Sequence, residues 1–241
     1  MIRLLAQKDE EGLKEKTRHN PFGCRLLSAI EAYGWDRPFL RVWSDDSAVY
    51  ALQDSSLTIC GRPADGQEAA AFARMVGAST VTGCTEDLAG WTPFSRQSGV
   101  ILYHPVAPSS GNDSDEKPPV QSLYRVLQAA GLLVPDFEVF YLDLNHRLRH
   151  GAADAVLWGE KACAVLGALT EEEAVLTAVA VVPGARRQGL GNRCVTTLMA
   201  QHPGISFWAL RGSGENRDFY RQLGFIEVGR WKTVPVEPAD S

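Results

Sequence analysis

Six residues, Arg186-Arg187-Gln188-Gly189-Leu190-Gly191, stand between an apolar run, Val175 to Val182, and an apolar segment with a polar face, Asn192 to Gln201. That order predicts a strand, a tight turn and a helix. Glycines at two alternate positions let backbone amides approach a ligand with no Cβ in the way, and the turn opens into a helix whose first amides lack partners of their own. Such a helix start seats a pyrophosphate. Arg186 and Arg187 add fixed positive charge suited to paired contacts with phosphate oxygens. A phosphorylated ligand, a nucleotide or coenzyme A, is what this local chemistry calls for.

The rest of the pattern separates those ligands. A Walker loop ends in Gly-Lys-Ser/Thr, and the dinucleotide fingerprint needs a third glycine with an acidic residue at the end of a following strand. Neither is present. Downstream, Asn216-Arg217-Asp218-Phe219-Tyr220-Arg221-Gln222-Leu223-Gly224-Phe225 predicts a short helix with Phe219 and Leu223 on one face and Gly224 at its C-terminal stop. A strand from Phe225 to Lys232 follows. Val179-Ala180-Val181-Val182-Pro183, then Arg-x-x-Gly-x-Gly, then Phe-Tyr-x-x-Leu-Gly-Phe resembles the GNAT superfamily of acetyl-CoA-dependent N-acetyltransferases, most closely over residues 174–231.

At 241 residues, 45% of them hydrophobic, the chain can bury two ordinary cores. A formal net charge of -5 supplies no broad basic field, which argues against nucleic acid as a partner. Cys24, Cys60, Cys84, Cys163 and Cys194 are scattered and never in Cys-x-x-Cys spacing, so reduced packing residues are expected rather than a disulfide frame or a zinc site. The first ten residues become charged too soon for a signal sequence and no apolar run reaches membrane-spanning length. A cytoplasmic protein with no membrane partner is therefore expected.

Prolines, serines and acids crowd residues 105–119, which divides the chain into domain 1–105, linker 106–119 and domain 120–241. In the first half, helices are expected at Asp9–Arg18 and Pro21–Tyr33, strands at Phe39–Trp43, Ala48–Leu52 and Ser56–Cys60, a helix at Asp65–Val76, a strand at Ser79–Thr82, a helix at Thr85–Ala89 and a strand at Gly99–His104. The second half repeats that order: helices Val120–Ala130 and Asp136–His150, strands Ala153–Trp158, Ala162–Leu169 and Ala174–Val182, helix Leu190–Gln201, strand Ile205–Leu210, helix Glu215–Leu223, strand Phe225–Lys232. The expected fold class is α/β, mixed α+β: a GNAT-like twisted mixed sheet flanked by helices, in tandem with a degenerate first copy. At the first copy's turn, Gly61-Arg62-Pro63-Ala64-Asp65-Gly66 lacks the glycine spacing and puts a carboxylate and a proline where amide donors should point. This half is expected not to bind coenzyme A.

The resemblance implies acetyl-CoA as acyl donor and no metal. It implies that a bulge opens the strand of Val179, Ala180 and Val181, whose backbone holds the pantetheine arm and the acetyl carbonyl. The pyrophosphate would lie on amides around Arg187, Gln188, Gly189, Leu190, Gly191 and Asn192, with Arg186 and Arg187 near its charge. Tyr220 matches the tyrosine that donates a proton to the departing thiolate in many members. Asn216 either contacts the cofactor or caps its helix, since the family's usual asparagine position holds Ser213 here. Among Glu171, Glu172 and Glu173, the last is the candidate general base, against the alternative of a solvated turn. His146 and His150 share a helix face without a third ligand. Tyr124, Tyr141 and Asp143 lie on the two leading helices that cover the acceptor in similar proteins, and are candidate substrate contacts. The expected activity is transfer of an acetyl group to a primary amine of a small molecule or peptide. The alternatives are a catalytically weak or inactive coenzyme A sensor or interaction module, and an acyltransferase for a longer acyl-CoA. An oligomer, if formed, is expected to be a homodimer.

Overall fold

The computed structural model describes residues 1–35, 37–91, 94–106, 117–212 and 216–236. Most of the expected linker, together with Ser213 and Glu215, lies outside them. Two compact units result: the first holds Met1–Ile101 with the described parts of Leu210–Glu215 and Glu227–Ser241, the second Leu102–Ala209 and Asn216–Ile226.

The first unit runs β1 (Arg3–Leu4), α1 (Glu10–Thr17), α2 (Pro21–Tyr33), β2 (Leu40–Ser44), β3 (Val49–Gln53), β4 (Ser56–Cys60), α3 (Gly66–Met75) and β5 (Thr80–Cys84). Helix α2 has the bounds its punctuation predicts: the Asn20 side chain accepts the Phe22 amide at 2.9 Å, Pro21 takes the first turn, and Gly34 closes the end at φ 81°. Strands β1 to β4 pair antiparallel and β4 with β5 in parallel. Alternate residues of β2 and β3 feed two cores: Leu40, Val42, Val49 and Ala51 pack with Leu13, Leu26 and Ile30, while Trp43, Tyr50 and Leu52 pack with Phe72. Residues 85–91, where a helix was expected in part, form turns instead. Leu88 there is fully buried and Asp87 accepts the Gly61 amide at 3.2 Å, so tertiary packing overrides the local helical pattern.

The second unit contains α4 (Val120–Ala129), α5 (Phe137–Arg149), β7 (Asp154–Trp158), β8 (Ala162–Leu169), β9 (Glu173–Val181), α6 (Leu190–Gln201) and α7 (Arg217–Gln222). Strands β6 (Gln97–His104) and β10 (Ser206–Gly212) contribute residues to both units. The order β7-β8-β9-β10 is antiparallel except for the parallel last pair. Val120, Leu123, Leu127 and Leu144 pack α4 and α5 on one face of the sheet, against Cys163, Val165 and Ala180. The last strand, β11 (Ile226–Pro235), leaves α7 and pairs antiparallel with β5, from Trp231 opposite Cys84 to Pro235 opposite Thr80. Its pairing residues thus count with the first unit, although a strand closing the second half was expected. The architecture is mixed α/β, with helices flanking mixed sheet.

All five cysteines are buried thiols outside any disulfide. Burial pushes the Cys163 thiol up to about 12 and the Cys194 thiol to about 11, so both stay protonated near neutrality. No helix among the described residues is long and apolar enough to cross a membrane.

Candidate active site in the second unit

Strands β9 and β10 run together only from Glu173 opposite Ser206 to Leu176 opposite Ala209. Beyond Leu176, β9 continues to Val181 with β8 as its paired neighbour, and its other edge has no pairing among the described residues. The parting coincides with a bulge. Leu176 faces Leu166 and Ala178 faces Val165, so Thr177 is the extra residue, and Gly167 is its counterpart on β8. A Cβ at Gly167 would lie 2.4 Å from Thr177 Oγ1, which is why that position of β8 has no side chain. Past the bulge, Ala178 and Ala180 pack in the cluster formed by α4 and α5.

After β9 the chain makes a short 3-10 turn, Pro183–Ala185, and enters α6 through a glycine: Gly189 at φ 76°, with no side chain capping the helix. Arg187 also has positive φ, 63°, a conformation that costs a non-glycine residue roughly 1 kcal/mol and is typical of loops shaped around a ligand. Loops with positive φ at such positions gather amides into an anion-binding concavity. The first bond closing the helix runs from the Arg193 amide to the Gly189 carbonyl at 3.1 Å, so the amides of Gly189, Leu190, Gly191 and Asn192 are the helix's first-turn donors. Arg186 behaves differently. Its amide bonds to the Pro183 carbonyl at 3.3 Å, its Nε donates to the Val181 carbonyl at 3.2 Å and one Nη to the Ala130 carbonyl at 3.0 Å. Expected beside the diphosphate charge, this side chain instead braces the loop.

Gly191 is glycine for a second reason. A Cβ there would meet Phe219 Cε2 at 3.2 Å and Val181 Cγ2 at 3.5 Å. Phe219 thereby docks α7 on the start of α6, with Tyr220 as the next residue, half-buried and edge-on to Phe219 and Phe225 at centroid distances of 5.1 and 5.6 Å. Asn216 is the N-cap of α7 at φ 47°, and its side chain makes no cap bond. The capping alternative therefore holds for its backbone position but not for its carboxamide.

Glu173 heads β9, 6% exposed, and accepts the Trp208 indole N–H at 3.2 Å. Trp208 in turn stacks against Tyr103 at 4.6 Å. A solvated turn does not describe this carboxylate, whereas Glu171 and Glu172 are exposed. The Tyr124 hydroxyl donates to the Pro135 carbonyl at 3.2 Å, and its ring meets Phe137 and Phe140 edge-on or tilted at 5.1 and 5.3 Å. Tyr141 adjoins Phe137 at 5.6 Å and is 38% exposed. Asp143 accepts from Arg147 Nε at 2.9 Å one helical turn on. Tyr124 thus secures the connection between α4 and α5, and Tyr141 and Asp143 are the members of that set with exposed side chains. His146 and His150 stack at 4.3 Å, and no cluster of three or more metal-ligating side chains exists among the described residues. Trp208, Phe219 and Thr177 were not singled out as site residues from the sequence; Gly167, in the middle of an apolar strand, is the one local signal for the bulge.

Residues 150–227 match the acetyltransferase (GNAT) domain. No curated protein matches the sequence. A tandem GNAT protein from the clavulanic acid biosynthesis pathway, solved without acetyl-CoA, superposes with a TM-score of 0.57 at 13% identity over 100% of this chain and 99% of its own. A GCN5-related N-acetyltransferase from Kribbella flavida gives 0.56 at 14% identity, covering 90% and 96%. A GNAT-family acetyltransferase from Colwellia psychrerythraea gives 0.52 at 13% identity, covering 98% and 100%. Residues 150–227 thus match an acetyltransferase (GNAT) domain, and the fold of the chain as a whole is similar to that of a tandem GNAT protein.

Proposed function

We propose that the second unit transfers an acetyl group from acetyl-CoA to a primary amine of a small molecule or peptide. The observation that carries this reading is the conjunction at α6: an uncapped glycine start, lying just beyond the end of β9, with Phe219 seating the helix of Tyr220 against Gly191. A helix start with no side-chain cap fits a diphosphate, and the edge of β9 that has no pairing among the described residues fits an extended pantetheine arm.

Bound acetyl-CoA supplies the acetyl group as a thioester. Amides of residues 187–192 hold the diphosphate, and Arg187 adds charge. Backbone groups of Val179 and Ala180 orient the arm and polarise the thioester carbonyl. The amine attacks that carbonyl as its nitrogen-to-carbon bond forms, and the carbon-to-sulfur bond breaks. Tyr220 gives its hydroxyl proton to the leaving thiolate, and the proton lost by the amine nitrogen goes to Glu173 through water. Trp208 holds the Glu173 carboxylate in place. Exposed Tyr141 and Asp143 face the acceptor.

Calorimetry with coenzyme A and thiol release from acetyl-CoA across an amine panel test the proposal. Uptake with amine-dependent thiol release is expected. Uptake without release would make the protein a sensor, and release only from longer acyl-CoAs would change the donor. Absence of uptake would end the reading.

A further inference from the structure

We propose that Arg186 is a positioning residue, coupling the diphosphate loop to the connection between α4 and α5, and so making the acceptor side of the site respond to the donor. The inference rests on the function proposed above, and extends it to the order in which the site assembles.

The guanidinium joins two ends of structure that the sequence separates by 56 residues. Nε holds the last carbonyl of β9, at Val181, and Nη2 holds the carbonyl of Ala130, the C-cap of α4. A helix end exposes carbonyls without partners and a negative dipole terminus, so a planar cation that forks between two acceptors suits it. The far end of the connection has its own anchor, the Tyr124 hydroxyl on the Pro135 carbonyl at 3.2 Å. Between the anchors, Leu132 and Val134 pack into the cluster that includes Phe140 of α5, Ala178 of β9 and Val182 just after that strand, while Leu133 is fully exposed. The connection then leads into α5, which carries Tyr141 and Asp143.

Arg186 is the residue before the positive-φ Arg187, at the mouth of the amide cluster. A diphosphate gathering the amides of residues 187–192 fixes the backbone from which the Arg186 side chain extends. Fixing one end of the fork lowers the entropy cost of holding the other, and the coupling is reciprocal by linkage.

The test is hydrogen exchange by mass spectrometry on the full-length protein, with and without coenzyme A, alongside calorimetry, for wild type, Arg186→Met and Arg186→Lys. In wild type, coenzyme A slows exchange at the start of α6 and, by about threefold or more, in the stretch 131–137. Arg186→Met keeps its coenzyme A affinity within about threefold and keeps the protection of α6, but loses the ligand-dependent protection of 131–137. Arg186→Lys, whose single ammonium reaches one carbonyl, retains part of it and serves if the Met variant folds poorly. A brace with no coupling role would raise exchange in 131–137 equally with and without ligand. The proposal falls if that ligand-dependent protection persists in both variants. It also falls if affinity drops about tenfold or more, which would make Arg186 a phosphate ligand. Uptake by wild type with unchanged protection of 131–137 defeats the coupling alone, and no uptake by wild type defeats both this and the proposed function.

Discussion

Helices α3 and α6 both follow a buried strand and a glycine-containing turn, yet their first amides meet opposite fates. At α3 the Asp65 carboxylate accepts the amides of Gln67 and Glu68 at 2.8 and 3.2 Å, so the helix start already holds an anion of its own. At α6 the N-cap is Gly189, and no side chain closes the start. The neighbouring strands differ in the same sense. A Cβ at Gly83 of β5 would sit 2.8 Å from the Ile59 carbonyl of β4 and 3.5 Å from Leu88, so these strands stay close, with an apolar side chain packed at their end. The Gly61 amide is given to Asp87, whose carboxyl burial raises above its ordinary range. The parallel ladders of both halves stop early, at Thr58 opposite Thr82 and at Leu176 opposite Ala209, but past that point Gly83 still lies against Ile59 in the first. The contrast supports the proposal that the first half offers no seat for a diphosphate because its backbone amides have internal partners.

The comparison predicts where the second unit is most easily broken. Gly191→Leu should have the largest effect, because its side chain would displace Phe219 and Val181. Overpacking of this kind costs about 1 to 3 kcal/mol, and coenzyme A affinity in calorimetry should fall about 10- to 100-fold or more while the first unit stays folded by circular dichroism. Tyr220→Phe should reduce turnover by about tenfold or more and leave cofactor affinity within about twofold, the pattern of a group used only in the transition state. An unchanged rate would remove Tyr220 from the mechanism. Arg187→Glu should weaken coenzyme A binding about tenfold at low salt, with the difference shrinking as ionic strength rises. A salt-independent loss would point to a collapsed loop rather than a missing charge.

Where chain-local chemistry decides, the sequence was sufficient. Asn20-Pro21 and Gly34 bound α2, Gly189 and Gly191 mark α6, and Phe219 shares a helix face chosen by spacing alone. Elements decided by distant partners were not legible. Thr85–Ala89 has a helical pattern, yet Leu88 is drawn under β5 and the segment turns. Residues Arg3–Leu4 form a strand too short to carry a period. The bulge at Thr177 depends on β8 across from it, and the carbonyl that Arg186 holds belongs to Ala130. Arg186 and Arg187 look alike in sequence as phosphate partners; in the fold Arg186 holds two carbonyls, whereas Arg187 is exposed at the loop.

The smallest predicted effect tests the comparison at its other end. Asp65→Ala removes the carboxylate that caps α3, and loss of an N-cap costs about 1 kcal/mol, read as a modest fall in the thermal midpoint. If the cap alone closed the first unit, freeing the amides of Gln67 and Glu68 would create a second coenzyme A site, and calorimetry would show two per chain. One per chain is expected, because the Gly83 approach to Ile59 and the buried Leu88 still keep β4 and β5 together when the cap is gone. Removing the Leu88 side chain as well, with Leu88→Ala added to Asp65→Ala, still leaves Gly83 against Ile59, so even this pair should gain no site. A second binding event in either variant would mean that the first half lost its ligand through side chains alone, and that its strands remain able to part.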